Sequence, residues 1–307
     1  MEISVYITSY NKRQYISQAI ESVLNQTMPA KEIIIIDDYS RDNSQEIIRE
    51  YTNRYPDIIK PIFNEQNKGI SKARNIALSN CKYELITYLD GDDIFYKNKL
   101  ENESNYLINN PVQVVYSNFD YINLDDKVIG RFANDSDSPA VGDIFTNTFL
   151  RDYNVSSGNN YNYEMFYKSC LSISGFYDEK IIIWEDWDFR IRMSKKFQYG
   201  YCPDVNSAYR KLENGLHNSV PGLHYREQMK IYKKNKHLLS DLEESEKRVI
   251  QNRIYSKLKK LIINIGRLNI SKKQYLRLII NCVQFIWTFQ SKKTVGFFYK
   301  ELFNYDA

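Results

Sequence analysis

Residues 32–38, Glu-Ile-Ile-Ile-Ile-Asp-Asp, constrain the fold more than any other stretch. Four consecutive isoleucines leave no alternation of apolar and polar positions. The segment therefore reads as a strand covered on both faces, as in a parallel sheet flanked by helices. The flanking sequence extends the pattern. Residues 2–8 (EISVYIT) read as a strand, and Ile16, Ala19, Ile20, Val23 and Leu24 recur at helical spacing until Gln-Thr-Met-Pro breaks it. Asn43 and Glu46 are expected to form a capping box opening a helix that runs toward Tyr55-Pro56. A short strand near 61–65, a helix over 70–79 and a strand over 83–89 continue the alternation. This order predicts an α/β layer on a mostly parallel sheet.

Ligands of such sheets sit outside the carboxyl ends of the strands. Thr8, Asp38 and Asp90 all fall at those ends, so residues distant in sequence are expected to meet in one crevice. There Asp38 reads either as an acceptor for a nucleotide base N–H or as a cap. Asp90-Gly91-Asp92-Asp93 puts three carboxylates into four residues. A hard divalent cation would relieve their repulsion; the competing reading is a solvated Asp-Gly turn. A second acidic stretch, residues 184–189 (WEDWDF), interleaves Glu185, Asp186 and Asp188 with Trp184, Trp187 and Phe189. It reads either as an acid-rich helix start or as an aromatic platform for a sugar.

Composition excludes several classes. A chain of 307 residues, 43% hydrophobic and 14% aromatic, can bury a core and allows about two domains. Cys81, Cys170, Cys202 and Cys282 form no CxxC or Cys/His pair, which argues against zinc and a disulfide framework and for a reduced, cytosolic chain. Polar residues 8–12 interrupt any signal-like run. The longest uncharged apolar window, 278–289, is too short to span a bilayer.

Charge divides the chain. Residues 225–307 carry 18 Lys and Arg against 7 Asp and Glu, and residues 1–224 carry 24 against 31. Between Lys247 and Lys300 there are 13 basic residues, no acid, and the apolar clusters LIINI (261–265) and LIINCVQFIWTF (278–289). This reads as a membrane-surface segment or as a helical subdomain with solvated charges. The absence of a nucleic-acid motif and the acidic first part argue against nucleic-acid binding. The expected division is a catalytic domain over 1–224 and a basic, mainly helical region over 225–307.

Five ordered blocks, VYITSYNKRQYISQAIESVLNQT, EIIIIDDYSRDNS, NKGISKARNIAL, YLDGDD and SGFYDEKIIIWEDWDFRIRM, extend over about residues 3–193. Together they resemble the inverting GT-A glycosyltransferases of family 2 that build bacterial surface glycans. The resemblance implies a Rossmann-like fold, a UDP-sugar donor, Mn2+ or Mg2+, a glycan or lipid-linked hydroxyl acceptor and a single displacement. It implies that Thr8 and Tyr10 contact the nucleoside, that Asp38 reads the uracil, and that Arg74 meets the nucleotide and its phosphates. Asn67 begins the same block, and Gly69 shapes its turn. Asp92 is implied as the metal ligand and Asp90 as a neighbour of the ribose or of a metal-bound water, with Asp93 left as a cap or solvated turn residue. Asp186 is implied as the general base. His217 resembles the second half of a Tyr-Arg-x-His element and would be a further metal or phosphate ligand, although it lies farther from Arg210 than the family spacing. Tyr116, Asn118 and Asn159 are acceptor-side candidates.

A rival reading, a sugar nucleotidyltransferase, normally has a Gly-rich basic loop after the first strand, which TSYNKRQ lacks. Another, a non-catalytic nucleotide-sugar binding paralogue, is countered by Asp92 and Asp186. The expected location is cytoplasmic, peripheral on the inner face of the membrane. Donor sugar, linkage and oligomeric state stay open.

Overall fold

Strand and helix alternate through the first half of the chain as the hydrophobic pattern predicts: β1 (Ile3–Ser9), α1 (Ile16–Leu24), β2 (Glu32–Asp37), α2 (Ser44–Arg54), β3 (Ile59–Phe63), α3 (Ile70–Asn80) and β4 (Leu85–Asp90). The computed structural model describes residues 1–158, 160–212, 221–271 and 285. His217, Asn159 and most of the aromatic part of the basic tail lie outside the described residues. The chain divides into two compact units, Met1–Glu213 and Asn214–Ala307.

In the first unit β5 (Ile94–Phe95), α4 (Lys99–Asn109), β6 (Val114–Ile122), β7 (Val128–Arg131), α5 (Phe145–Leu150), β8 (Met165–Tyr167), α6 (Cys170–Ser174), α7 (Glu185–Ser194) and β9 (Tyr199–Arg210) follow. All nine strands form one sheet, ordered β3-β2-β1-β4-β8-β6-β9-β5, with β7 paired to β6. The four β3-β2-β1-β4 strands are parallel, β8 runs antiparallel to both β4 and β6, and β6 pairs parallel to β9.

Every residue of β2 is buried between β1 and β3. Ile33, Ile34, Ile35 and Ile36 are 0–2% exposed. At about 1.5–3 kcal/mol for each fully buried side chain, this run alone contributes on the order of 6–12 kcal/mol of gross apolar burial, an upper bound. The expected capping box at α2 does not form. Asn43 sits at φ 67 and its side chain makes no cap bond, because an N-cap residue must be extended to reach the first free N–H groups. Asp42 takes the role, accepting from Ser44 N at 3.2 Å.

The second unit contains α8 (Pro221–Asn235), a 3-10 turn over Lys236–Leu239 and α9 (Glu244–Ser271). Ile250, Ile254, Leu258 and Ile262, four residues apart, bury one stripe of α9, while α8, packed on it, buries Tyr225, Met229 and Tyr232. This part of the tail uses its apolar face inside its own unit. Among the described residues no helix is long and apolar enough to cross a membrane.

Candidate active site

Strand register assembles the crevice. Thr8 of β1 pairs with Asp90 of β4, and Ser9 pairs with Asp37 of β2, so the three strand ends lie side by side. The turn after β4 rests directly on β1: Gly91 N donates to Thr8 O at 2.8 Å, and a Cβ on Gly91 would meet that same oxygen at 2.8 Å. Only glycine allows this close approach.

The three clustered carboxylates do not share one environment. Asp90 accepts from the Thr8 hydroxyl at 2.7 Å and from Arg74 Nη2 at 3.1 and 3.2 Å. Burial pushes its carboxyl up, but Arg74 and Thr8 hold it below the usual range. Asp92 is raised by burial, against the pull of Lys12 and with added repulsion from Asp90; the Lys12 ammonium lies 2.5 Å from its Oδ2. Asp93 is 2% exposed and raised well above the usual carboxylate range by burial and by Asp92 and Asp90. It accepts from Arg210 N at 2.6 Å and from the Tyr163 hydroxyl. Asp93, expected from sequence to be a cap or a solvated turn residue, is thus not solvated but a buried acid that ties the turn to β9 through the Arg210 N–H.

A second acidic group opens α7. Arg74 of α3 bridges the two groups, donating through Nη1 to Glu185 at 2.9 Å while Nη2 holds Asp90. Glu185 is buried, which raises its carboxyl to about 7, with Arg74 opposing and Asp186 adding repulsion. Asp186 is more open: its side chain is 24% exposed, and Oδ2 accepts from Arg190 Nη1 at 2.8 Å. Among the described residues Asp186 Oδ1 makes no hydrogen bond. Arg190 is itself fixed by Glu164 through two bonds of 2.9 and 2.8 Å and by donating to the Tyr88 hydroxyl at 2.8 Å. Asp188 is fully buried against Arg192. The expected aromatic platform is also corrected, since Trp187 and Phe189 are 4% and 1% exposed core residues and only Trp184 keeps a partly open ring.

Asp38 differs from both groups. Its oxygens accept from Asn64 Nδ2, Lys68 N and Gly69 N, each at 2.8 Å, which fastens the loop leading into α3. Gly69 adopts φ 84, a conformation that favours glycine. A carboxylate offers about four acceptor positions, so Asp38 has room for about one more donor.

The sequence pattern described as "Glycosyl transferase family 2" matches residues 4–212. The chain belongs to glycosyl transferase family 2. It is similar to the Escherichia coli "UDP-Glc:alpha-D-GlcNAc-diphosphoundecaprenol beta-1,3-glucosyltransferase WfgD", at 36% identity over 42% of this chain and 50% of that one. It is also similar to two Bacillus subtilis proteins. The "Putative teichuronic acid biosynthesis glycosyltransferase TuaG" is 30% identical over 48% of this chain and 58% of that one. The "Minor teichoic acid biosynthesis protein GgaA" is 33% identical over 68% and 47%. The alignments span about half the length of these relatives. Staphylococcus aureus TarS 1–349 in complex with UDP-GlcNAc shares the fold, GT-A, with TM-score 0.71 and 18% identity over 96% of this chain and 83% of that one.

In this family 2 chain, Thr8, Asp38, Arg74, Asp90 and Asp92 come together at the strand ends, and Arg74 links them to Glu185, the neighbour of Asp186. Tyr10 is 46% exposed on the loop after β1, and Asn67 donates weakly to Asp38 O at 3.4 Å. Arg74 is only 6% exposed on its side chain, so it lies behind Asp90 and not in the open crevice. Arg210 is likewise buried, donating from Nε to Asp92 O at 2.8 Å. Tyr116 and Asn118, the acceptor-side candidates, are buried and bonded within the protein. Tyr116 is fully buried with its hydroxyl on Ala140 O at 2.5 Å, and Asn118 bonds Ala133 through both main-chain groups.

Sequence reading missed Lys12, Glu164 and Arg190. Lys12 sat in plain view in TSYNKRQ, yet nothing in the string places it against a residue 80 positions later. Glu164 and Arg190 carried no signal, because their value comes from a long-range buried pair.

Whether a divalent cation suits the site is decided by the donor set. Among the described residues no three His, Cys, Asp or Glu side chains form a ready cage. Asp92 nonetheless offers oxygen ligation where negative charge is in excess. One or two carboxylates completed by substrate phosphates is the usual way Mg2+ is held. The residues fit.

Proposed function

We propose that this protein transfers a sugar from a UDP-sugar to a hydroxyl of a glycan or lipid-linked acceptor, with inversion, using Asp186 as general base. The observation that carries this reading is the open Oδ1 of Asp186 on a carboxylate whose other oxygen is fixed by the buried Arg190. An acceptor hydroxyl is a poor nucleophile. As its oxygen forms a bond to C1 of the donor, Asp186 takes its proton while the bond from C1 to the diphosphate oxygen breaks and UDP leaves. Such base assistance contributes about 10²- to 10⁴-fold.

On the donor side, Tyr10 and Thr8 border the nucleoside, and Asp38 accepts from the uracil N–H at its remaining position. Asn67 steadies that loop, and Asp90 faces the ribose while Arg74 supplies positive charge from behind it. Asp92 would hold Mn2+ or Mg2+, with His217 as a further candidate ligand. Held there, the cation would supply positive charge against the charge developing on the leaving diphosphate. Lys12, which pairs with Asp92, adds a second positive charge beside the position proposed for the diphosphate. WfgD glucosylates alpha-D-GlcNAc-diphosphoundecaprenol, and TuaG and GgaA belong to teichuronic and minor teichoic acid biosynthesis, which supports a lipid-linked or glycan-type acceptor here.

The proposed organisation is a catalytic domain over about 1–224 followed by a basic helical region in peripheral contact with the inner face of the cytoplasmic membrane. Each Lys or Arg near an anionic surface adds about 1 kcal/mol. Co-sedimentation of the full chain with anionic but not neutral vesicles, weakened by salt, tests that contact. Thermal-shift screening of nucleotide sugars with and without Mn2+ tests the donor, since a ligand of the folded state raises its apparent stability. No response to any UDP-sugar would overturn the reading.

A further inference from the structure

Among the described residues, Arg151 is a cation near Asp186 that makes no ion pair. It follows α5 and stacks its guanidinium 4.0 Å above the Trp184 ring and 5.9 Å from the Trp187 ring. Trp187 is locked by its indole N–H on Thr148 O at 2.9 Å, the same carbonyl that accepts from Arg151 N at 3.1 Å. Arg151 Nε donates to Asn160 Oδ1 at 3.2 Å. Among the described residues, no carboxylate lies within ion-pair distance of Arg151, and neither terminal nitrogen donates a hydrogen bond.

The neighbouring Arg190 is the opposite case, with its donors occupied by Glu164, Asp186 and Tyr88. Burial lowers the Arg151 guanidinium below its ordinary value, with Asp186 close enough to oppose the shift. Arg151 and Trp184 are both non-glycine residues held at positive φ, 52 and 67, so the backbone is bent at both ends of this stack. A half-buried guanidinium stacked on one tryptophan and close to a second, with its terminal nitrogens unbonded among the described residues, is suited to bind phosphate or carboxylate in two-toothed fashion.

We propose that Arg151 binds an anionic group, a phosphate or a carboxylate, on the acceptor, and so selects acceptors that carry negative charge beside the reacting hydroxyl. This rests on the reading of Asp186 as the base, two residues from Trp184. The anion has two possible sources, the diphosphate of a lipid carrier or an acid group borne by the glycan itself.

Trp184 and Trp187 are two of the three tryptophans, so intrinsic fluorescence reports on the site. The full chain, with UDP and Mn2+ at saturation, is titrated with farnesyl diphosphate for the lipid source and with glycerol 3-phosphate and glucuronate for the glycan source. Farnesol, glycerol and glucose are the neutral controls. At least one anion is expected to saturate the signal with an affinity that falls as salt is added, while its neutral control binds at least tenfold more weakly. Arg151→Gln should weaken the anion at least tenfold and leave UDP affinity within twofold, with Arg151→Lys intermediate. Should the glutamine variant fail to fold, the lysine variant carries the test, because it keeps the charge and loses the planar donor pair; at least a threefold loss is expected. Unchanged anion affinity in the variants, equal binding of the neutral control, or no anion binding overturns the proposal. Repeating the titration without UDP separates this from the donor reading, whose failure appears only as a missing UDP response.

Discussion

The loop at Asp38 and the turn at Asp90–Asp93 stand at neighbouring strand ends and treat carboxylates in opposite ways. Asp38 is matched by three N–H donors from its own surroundings, two of them backbone, and its geometry is complete before any ligand arrives. At Asp90–Asp93 three acids share Arg74, Lys12 and hydrogen-bond donors, and burial, with repulsion between the carboxylates added, shifts Asp92 and Asp93 upward. The difference teaches that the first site is built for shape and the second for charge. A carboxylate with its hydrogen bonds made stabilises the fold, whereas surplus carboxylates destabilise it until a cation or a proton arrives.

The largest effect should come from Asp186→Asn, which is expected to cut turnover by about 10² or more with donor affinity nearly unchanged, because the lost interaction acts in the transition state. Steady-state kinetics beside calorimetric UDP titration separates the two quantities; near-normal turnover would show that Asp186 is not the base.

Asp92→Asn should weaken UDP binding about tenfold or more in Mn2+ and little in its absence, if the second site is built for charge. Equal affinity in both proteins would return the turn to a purely structural role.

Stability should distinguish the two sites in the other direction. Asp38→Ala leaves buried N–H groups without an acceptor, at about 1–3 kcal/mol for each group not rescued by water. A drop in Tm of about 2–4 °C per kcal/mol is expected for a unit of this size. Asp92→Asn, which removes a repelled charge, should hold or raise Tm. Similar losses in both variants would erase the contrast.

The smallest effect is in pH dependence. Glu185 rises from 4.5 to about 7 on folding, and Asp92 and Asp93 shift in the same direction. The folded state therefore binds protons more tightly than the unfolded state, and stability conferred near pH 5 is lost as pH rises through about 7. Tm of the ligand-free protein should fall across that interval, and Glu185→Gln should flatten part of the fall. A rise with pH would mean that Arg74 outweighs burial at Glu185.

Local pattern carried the parallel half of the sheet, because a strand buried on both faces has to be uninterruptedly apolar and its helices have to repeat near 3.6 residues. It also marked Asp38, Asp90 and Asp92 as candidates, since acids at strand ends stand out against apolar neighbours, whereas Asp186 was singled out from Glu185 and Asp188 only by the resemblance to family 2. The segment from about 105 to 165 was the least legible, apart from the apolar run that becomes β6, and β8 at its end is three residues long and runs against both its neighbours, a pairing no local period encodes.

What the sequence determined by itself is the order of the elements through β4 and which acids lie at their ends. Only the tertiary structure decided what each acid became. Asp93 is pulled inward by Tyr163 and Arg210, 70 and 117 residues away, while Arg190 joins Glu164 to Asp186 and leaves Arg151 unmatched. The physical reason is that a charge is set by burial and by the nearest opposite charge, and both are fixed through contacts between residues far apart in the chain.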